Sequence, residues 1–168
     1  VVLCIVVVTI STFAFTVKTE KGYKVGDTIE DFTLKNIDDK MVSLSNYEEA
    51  KGFIIIFTCN MCPYSVANED RIIALDAKYK SKGYLVISIN PNDPKVSVGD
   101  SFEDMKVRAA EKGFTFPYLF DEGQKVFPKF GASKTPHVYI VNASAMKLKA
   151  VLPIFERTNV ANFRMIGQ

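Results

Sequence analysis

Histidine occurs once in the 168 residues, as His137, and cysteine three times, as Cys4, Cys59 and Cys62. A structural zinc site usually takes four Cys or His ligands, and no second cysteine pair exists to complete one around Cys59 and Cys62. A surplus of one charge sign is also missing. The 21 basic and 19 acidic residues are mixed along the chain and leave a net charge of +2. Neither nucleic acid nor an acidic polymer is implied as a partner by that balance. There is no internal repeat and no low-complexity tract. What is present is an ordinary globular composition, with 48% apolar residues in a chain long enough for one domain with a real core.

The first segment differs from the rest. Val1 to Phe15 carries no charge, and its length and composition suit the apolar core of a secretory signal. A retained membrane anchor is the alternative to cleavage, although the run is short for a span, and a buried strand of the domain is a third reading. Segment 1–17 is therefore read as signal-like or anchoring, and 18–168 as the domain. The expected location is extracytoplasmic, as in a periplasm, with membrane attachment through the first segment as an option. Cys4 falls in this run and follows Leu3 rather than the small residue that precedes a lipoprotein cysteine. Without it the mature chain keeps two cysteines, the simplest stock for one redox couple.

Those two stand in Thr58-Cys59-Asn60-Met61-Cys62-Pro63. The apolar run Gly52 to Phe57 before them reads as a central strand, and a helical pattern follows from Pro63 to about Lys80. A C-x-x-C pair at a strand-to-helix turn is a place for redox chemistry. Unpaired N–H groups at a helix start favour a thiolate there, and Pro63 suits an early helical position that needs no N–H partner. Two blander readings compete: an inert disulfide, which would close too short a loop to restrain the unfolded chain much, and half of a metal site.

Around that turn the chain alternates. Residues 31–35 and 41–44 read as a hairpin across a turn-rich stretch, and residues 45–49 as a short helical turn. In the helix after the dithiol, Ile72, Leu75 and Tyr79 mark the buried face, with Ile73 and Ala77 beside it; Gly83 is its left-handed cap. Tyr84 to Asn90 is a strand, residues 91–100 a loop, and Ser101 with Asp104 a capping box opening a helix to Lys112. A strand over 116–120, a short helix over 124–130 distorted by Pro128, and a hairpin of 137–141 with 148–152 complete the order. Strand–helix alternation implies parallel neighbours and tight turns imply antiparallel ones, so the expected fold class is α/β with a central mixed sheet flanked by helices.

Four stretches together resemble the thioredoxin-fold redoxins of the AhpC/TSA group. They are Val25-Gly26-Asp27 with Asp31-Phe32-Thr33-Leu34, Phe57 to Tyr64, Ile89 to Asp93, and Phe116 to Asp121 with Lys134-Thr135-Pro136. The resemblance spans about residues 23 to 152. It implies a thioredoxin fold with an N-terminal β-hairpin extension, and a thiol–disulfide oxidoreductase that needs no organic cofactor. Its partners would be protein disulfides or dithiols and an upstream thiol reductant or oxidant. Cys59 would be the attacking thiolate, as the more exposed sulfur, and Cys62 would resolve the mixed disulfide. Pro136 would be the family's cis-proline, with Thr135 bonding an extended substrate; Met61 and Tyr64 would form an apolar docking rim.

Several residues depart from that family's patterns. Thioredoxin itself has Trp before its first cysteine, whereas this chain has Thr58 and no tryptophan at all. Its buried acid in the preceding strand is replaced by Phe53, so a proton acceptor must come from elsewhere. Glu69, Asp70 and Asp121 are candidates, each also readable as a solvated surface charge. A peroxiredoxin pattern would place Thr three residues before its cysteine, and here Thr58 adjoins Cys59, which weakens a thiol peroxidase reading. His137 can be a plain strand residue or, as a cation, a tuning group for a thiolate. Alternatively Cys59, Cys62 and His137 would form a soft Cu(I) or zinc site, the mark of a metal carrier or sensor.

Overall fold

A computed structural model describes residues 22–153. The signal-like segment 1–17 lies outside them. The elements follow the expected alternation: β1 Thr33–Asn36, β2 Met41–Ser43, β3 Gly52–Phe57, α1 Pro63–Val66, α2 Glu69–Tyr79, β4 Tyr84–Asn90, α3 Phe102–Lys112, β5 Tyr118–Phe120, α4 Phe127–Phe130, β6 His137–Asn142 and β7 Lys147–Pro153. They build one seven-stranded mixed sheet in the order β2-β1-β5-β4-β3-β6-β7. β4 is parallel to β3 and β5, because helical crossovers join them, while β6 and β7 and the β1–β2 hairpin pair antiparallel. The hairpin extension attaches through β1 to the edge of β5.

The centre of the sheet is β3. Its six residues are buried on both faces and hydrogen-bond to β4 on one side and β6 on the other. An uninterrupted apolar run is what a strand covered on both faces requires. Alternate side chains serve the two layers. Phe53, Ile55 and Phe57 enter a core with Leu119, Phe130 and Tyr139, whereas Ile54 and Ile56 meet Ile72, Leu75 and Tyr79 of α2. Phe57 packs edge-on against Phe127, Phe130 and Tyr139 at 5.3–5.7 Å between ring centroids, a geometry that aromatic quadrupoles favour.

The helix after the dithiol is shorter than its sequence pattern predicts. It breaks at Ala67–Asn68, because the Asn68 side-chain amide donates to the Tyr64 carbonyl at 2.7 Å while its backbone N–H turns to Ser65. A polar side chain that competes for a backbone carbonyl interrupts a helix in this way. The expected buried face, Ile72, Leu75 and Tyr79, holds, but Ala77 is exposed and Asp76 is buried in its stead, bonded by Thr115. The predicted turn over 45–49 is a single 3-10 turn at Leu44–Asn46. Pro128 does not distort α4, since it sits in the first turn, where no N–H is needed. Gly83 takes φ +86° and is a left-handed cap as expected, but of the 3-10 turn Lys80–Lys82 that follows α2 rather than of α2 itself.

α3 opens on the predicted capping box: Ser101 Oγ accepts from the Asp104 N–H and the Asp104 carboxylate accepts from the Ser101 N–H, both at 3.1 Å. These contributions separate by size. Urea unfolding of Ile55→Ala should show a loss of about 2–5 kcal/mol, the cost of a cavity in a closed core. Ser101→Ala should cost about 1 kcal/mol, the worth of an N-cap.

Candidate redox site

Both cysteines lie where β3 hands over to α1. The Thr58 N–H donates to the Ile89 carbonyl at 2.8 Å, which extends the β3–β4 pairing one residue beyond the strand. Thr58 and Cys59 are consequently carried into the interior, and Cys59 is 3% exposed. The chain then turns through Asn60 and Met61, and Cys62 becomes the N-cap of α1 with Pro63 at the first helical position. Cys62 is partly open to solvent. The expectation that Cys59 is the more exposed sulfur is therefore reversed. Pairing with β4 keeps the end of β3 inside, and only the helix start reaches the surface.

Both sulfurs face one residue. The Thr135–Pro136 peptide is cis. The Thr135 hydroxyl shares a hydrogen bond with Cys59 Sγ at 3.1 Å, and its carbonyl accepts from Cys62 Sγ at 3.5 Å. Ser65, fully buried one helical turn after Cys62, places its hydroxyl 3.5 Å from Cys59 Sγ. Ser65 and the cis Thr135–Pro136 segment thus gather the two thiols, which are not joined to each other.

Their ionisation is pulled in opposite directions. Partial burial opposes charge on Cys62, but the backbone N–H groups of Ser65 and Tyr64 and the hydroxyls of Thr135 and Ser65 outweigh it, so its pKa lies below the usual thiol value. At Cys59 burial wins over the Thr135 and Ser65 hydroxyls and the Cys62 N–H, the Asp100 carboxylate adds to it, and the pKa is raised.

The other candidate residues divide. Met61 and Tyr64 are exposed, at 59% and 65%, on either side of Cys62, and the Met61 side chain lies over Gly99. Thr58 is buried. His137 is buried opposite Phe57 in β6, and its Nδ1 bonds the Tyr139 hydroxyl at 3.2 Å. Burial, with Lys134 nearby, lowers its pKa, so it is held neutral rather than as a cation tuning a thiolate. Nor does it join the sulfurs as a ligand: among the described residues no three His, Cys, Asp or Glu side chains are grouped to hold a metal ion. The metal-carrier reading loses its proposed trio for that reason.

Of the three acids considered as proton acceptors, only Asp70 is exposed as a surface charge would be. Glu69 is buried and takes both 2.7 Å hydrogen bonds of the Arg108 guanidinium, tying α2 to α3. Asp121 is buried and accepts the N–H groups of Lys125, Val126 and Phe127 ahead of α4. The carboxylate that does lie beside the dithiol is Asp100. It accepts from the Asn60 N–H at 2.7 Å and is reached from far along the sequence. The sequence signals for it were faint: an aspartate closing a loop, and an asparagine between the two cysteines.

The fold and this site define a thioredoxin-like protein with a paired-thiol centre. The chain belongs to the AhpC/TSA family, whose model matches residues 25–151. It is 25% identical over 119 residues to the thiol-disulfide oxidoreductase ResA of Halalkalibacterium halodurans, a match covering 71% of this chain and 63% of that protein. Its namesake in Oceanobacillus iheyensis is 30% identical over 125 residues, 72% of this chain and 61% of that one. The chain thus spans a little under two thirds of the length of these two relatives. A crystal structure of an uncharacterised conserved protein from Geobacillus kaustophilus superposes with a TM-score of 0.76 and 30% identity, covering 88% of this chain and 77% of that one. The exposed lipoprotein thioredoxin of Streptococcus pneumoniae shares the fold at a TM-score of 0.63 and 23% identity, over 76% and 92% of the two chains.

The opposite shifts of the two thiols give a direct expectation. In Cys59→Ser, alkylation of Cys62 should titrate with a midpoint below the ordinary thiol value; in Cys62→Ser, Cys59 should titrate above it. Rate against pH with iodoacetamide measures the open Cys62 and ¹³Cβ NMR titration the buried Cys59, and a reversed order would contradict the geometry.

Proposed function

We propose that this chain is an exported thiol–disulfide oxidoreductase in which Cys62, not Cys59, is the attacking sulfur. The observation that carries the reading is the asymmetry of the pair: an open thiol at a helix start with local N–H donors, backed by a buried thiol that shares Thr135 with it. A thiolate is the nucleophile in disulfide exchange, and the sulfur that meets a partner must be reachable.

In the reducing direction the Cys62 thiolate attacks one sulfur of a partner disulfide. A Cys62–partner bond forms, the partner's S–S bond breaks, and the second partner sulfur leaves as a thiolate that takes a proton from water. Cys59 then attacks Cys62 Sγ. The Cys59–Cys62 disulfide forms, the mixed disulfide breaks, and the Cys59 proton passes to the departing partner sulfur. The partner gains two electrons and the dithiol loses them; an upstream thiol restores the dithiol. Run backwards, the same steps oxidise a partner dithiol. Met61 and Tyr64 supply an apolar rim for a polypeptide substrate, and the backbone of Thr135 is available to an extended segment beside Cys62. Export rests on the uncharged run Val1 to Phe15. Membrane attachment, like export, would use that first segment; no helix among the described residues is long and apolar enough to cross a membrane.

Trapping tests the assignment. Cys59→Ser should accumulate disulfide-linked partners through Cys62, visible as dithiol-sensitive bands on non-reducing gels. Cys62→Ser should form none and lose insulin reduction by at least ~100-fold, because the attacking nucleophile is gone. Trapping by Cys62→Ser instead would restore Cys59 as the attacking sulfur.

A further inference from the structure

Exposed large apolar side chains are few among the described residues, and they are not scattered. Of the seven, Met61 and Tyr64 lie at the dithiol turn, and Val96 and Val98 lie on the segment 91–100 that is bonded to it. The two valines are the most open of all, at 84% and 85%. Their segment joins β4 to α3 and is fastened to the peptide between the cysteines. The Asn60 side-chain amide donates to the Gly99 carbonyl at 2.9 Å, and the Asn60 N–H to the Asp100 carboxylate at 2.7 Å. Gly99, at φ +90°, leaves the space that the Met61 thioether fills; a Cβ there would stand 2.7 Å from the sulfur. Met61 thereby connects Cys62 with Val98. Within the segment the Val96 and Ser97 N–H groups donate to the Asp93 carbonyl at 3.0 and 2.8 Å, and the Asn92 amide and Ser97 hydroxyl donate to Asp100. The valines are therefore held out to solvent on a braced loop. Val96 also stands at the lip of an open cleft of about 420 Å³, shared with Asn92, Asp93, Ser97, Gly123 and Gln124.

We propose that Val96 and Val98 form, with Met61, a docking strip that selects polypeptide substrates carrying aliphatic or aromatic side chains beside the reacting cysteine. The inference rests on the reading of the chain as a thiol–disulfide oxidoreductase for polypeptides. It holds whichever of the two sulfurs attacks, because both stand at one turn. The reaction itself says what covers the strip. A partner sulfur must come within bonding distance of this turn, so the residues next to it are carried over Met61 and the adjoining valines. Single apolar side chains on a surface need no explanation, whereas a group of them beside a reacting atom marks a contact. An apolar side chain of the partner that covers a valine removes water from both, while a polar one gives up its hydration and finds no hydrogen bond in return. A loop already ordered by its own bonds loses little further freedom on binding, so the gain appears as affinity. Charge adds little to the choice: Asp93 and Lys95, exposed beside the valines, are of opposite sign.

The test compares two decapeptides, each closed by one disulfide and differing only in the residues beside one cysteine, Leu in the first and Ser in the second. Second-order rate constants for their reduction by the pre-reduced full chain are measured by stopped flow, with oxidised glutathione as a small disulfide beside them. The chain should reduce the Leu peptide about tenfold faster than the Ser peptide, the worth of covering a valine or two. Val96→Ser with Val98→Ser should bring that ratio close to one, and Val96→Leu with Val98→Leu should keep it. The readout is a ratio within one protein sample, so a loss of folded or active protein cancels. Equal rates for the two peptides, or a ratio that the serine pair leaves unchanged, overturns the proposal. So does a dimer of the reduced chain in sedimentation velocity that the serine pair abolishes, since a second copy would then be what covers the strip. Failure to reduce either peptide or glutathione would instead sink the oxidoreductase reading on which the strip depends.

Discussion

The hydrogen-bonded union of β3 with β4 and β6 is the constraint on which the redox centre depends. A strand paired along both edges and covered on both faces has no freedom to shift register. Its last residue fixes where the chain enters the turn, and the extra bond from Thr58 to Ile89 fixes the direction of entry. Cys59 inherits its burial from that geometry rather than from its own chemistry. The cis peptide at Thr135–Pro136 lies just before β6, the other neighbour of β3, so the same pairing that holds Cys59 also brings Thr135 against both sulfurs.

Two identical side chains three residues apart thereby come to differ. Burial dominates at Cys59, and specific donors dominate at Cys62. Neither effect needs a distant charge to create it, since both follow from whether the sulfur sits at the end of a strand or at the start of a helix. Ser65 and Thr135 contact the centre through neutral hydroxyls, which stabilise a thiolate without fixing a proton at one sulfur.

Much of this architecture is legible in the amino-acid order. The run Gly52 to Phe57 reads as a buried central strand because no polar residue interrupts it, and the box at Ser101 and Asp104 marks the start of α3 through short-range chemistry. The alternation of strands and helices gives the mixed sheet, and Pro136 is recognisable by resemblance. The relative exposure of the two cysteines is not legible, because it depends on the Thr58–Ile89 bond between segments thirty residues apart. The break at Asn68 escapes a periodicity argument, since Ile72, Leu75 and Tyr79 keep their spacing across the remaining helix. Asp100 is hidden for a similar reason: it lies forty residues from Asn60, and a loop aspartate carries no mark of burial. Glu69 and Asp121 likewise read as surface charges until the Arg108 guanidinium and the turn before α4 supply partners.

The interruption at Asn68 bears on evolution as well as on electrostatics. With α1 only one turn long, the favourable field at Cys62 comes from two individual amides and the hydroxyls of Thr135 and Ser65 rather than from the summed dipoles of a long helix. The reactivity of that sulfur is thereby insulated from the composition of α2. Substitutions there, including those that adapt the Glu69–Arg108 link or the exposed face to new surroundings, can accumulate without retuning the centre, so its surface and its chemistry are free to drift separately.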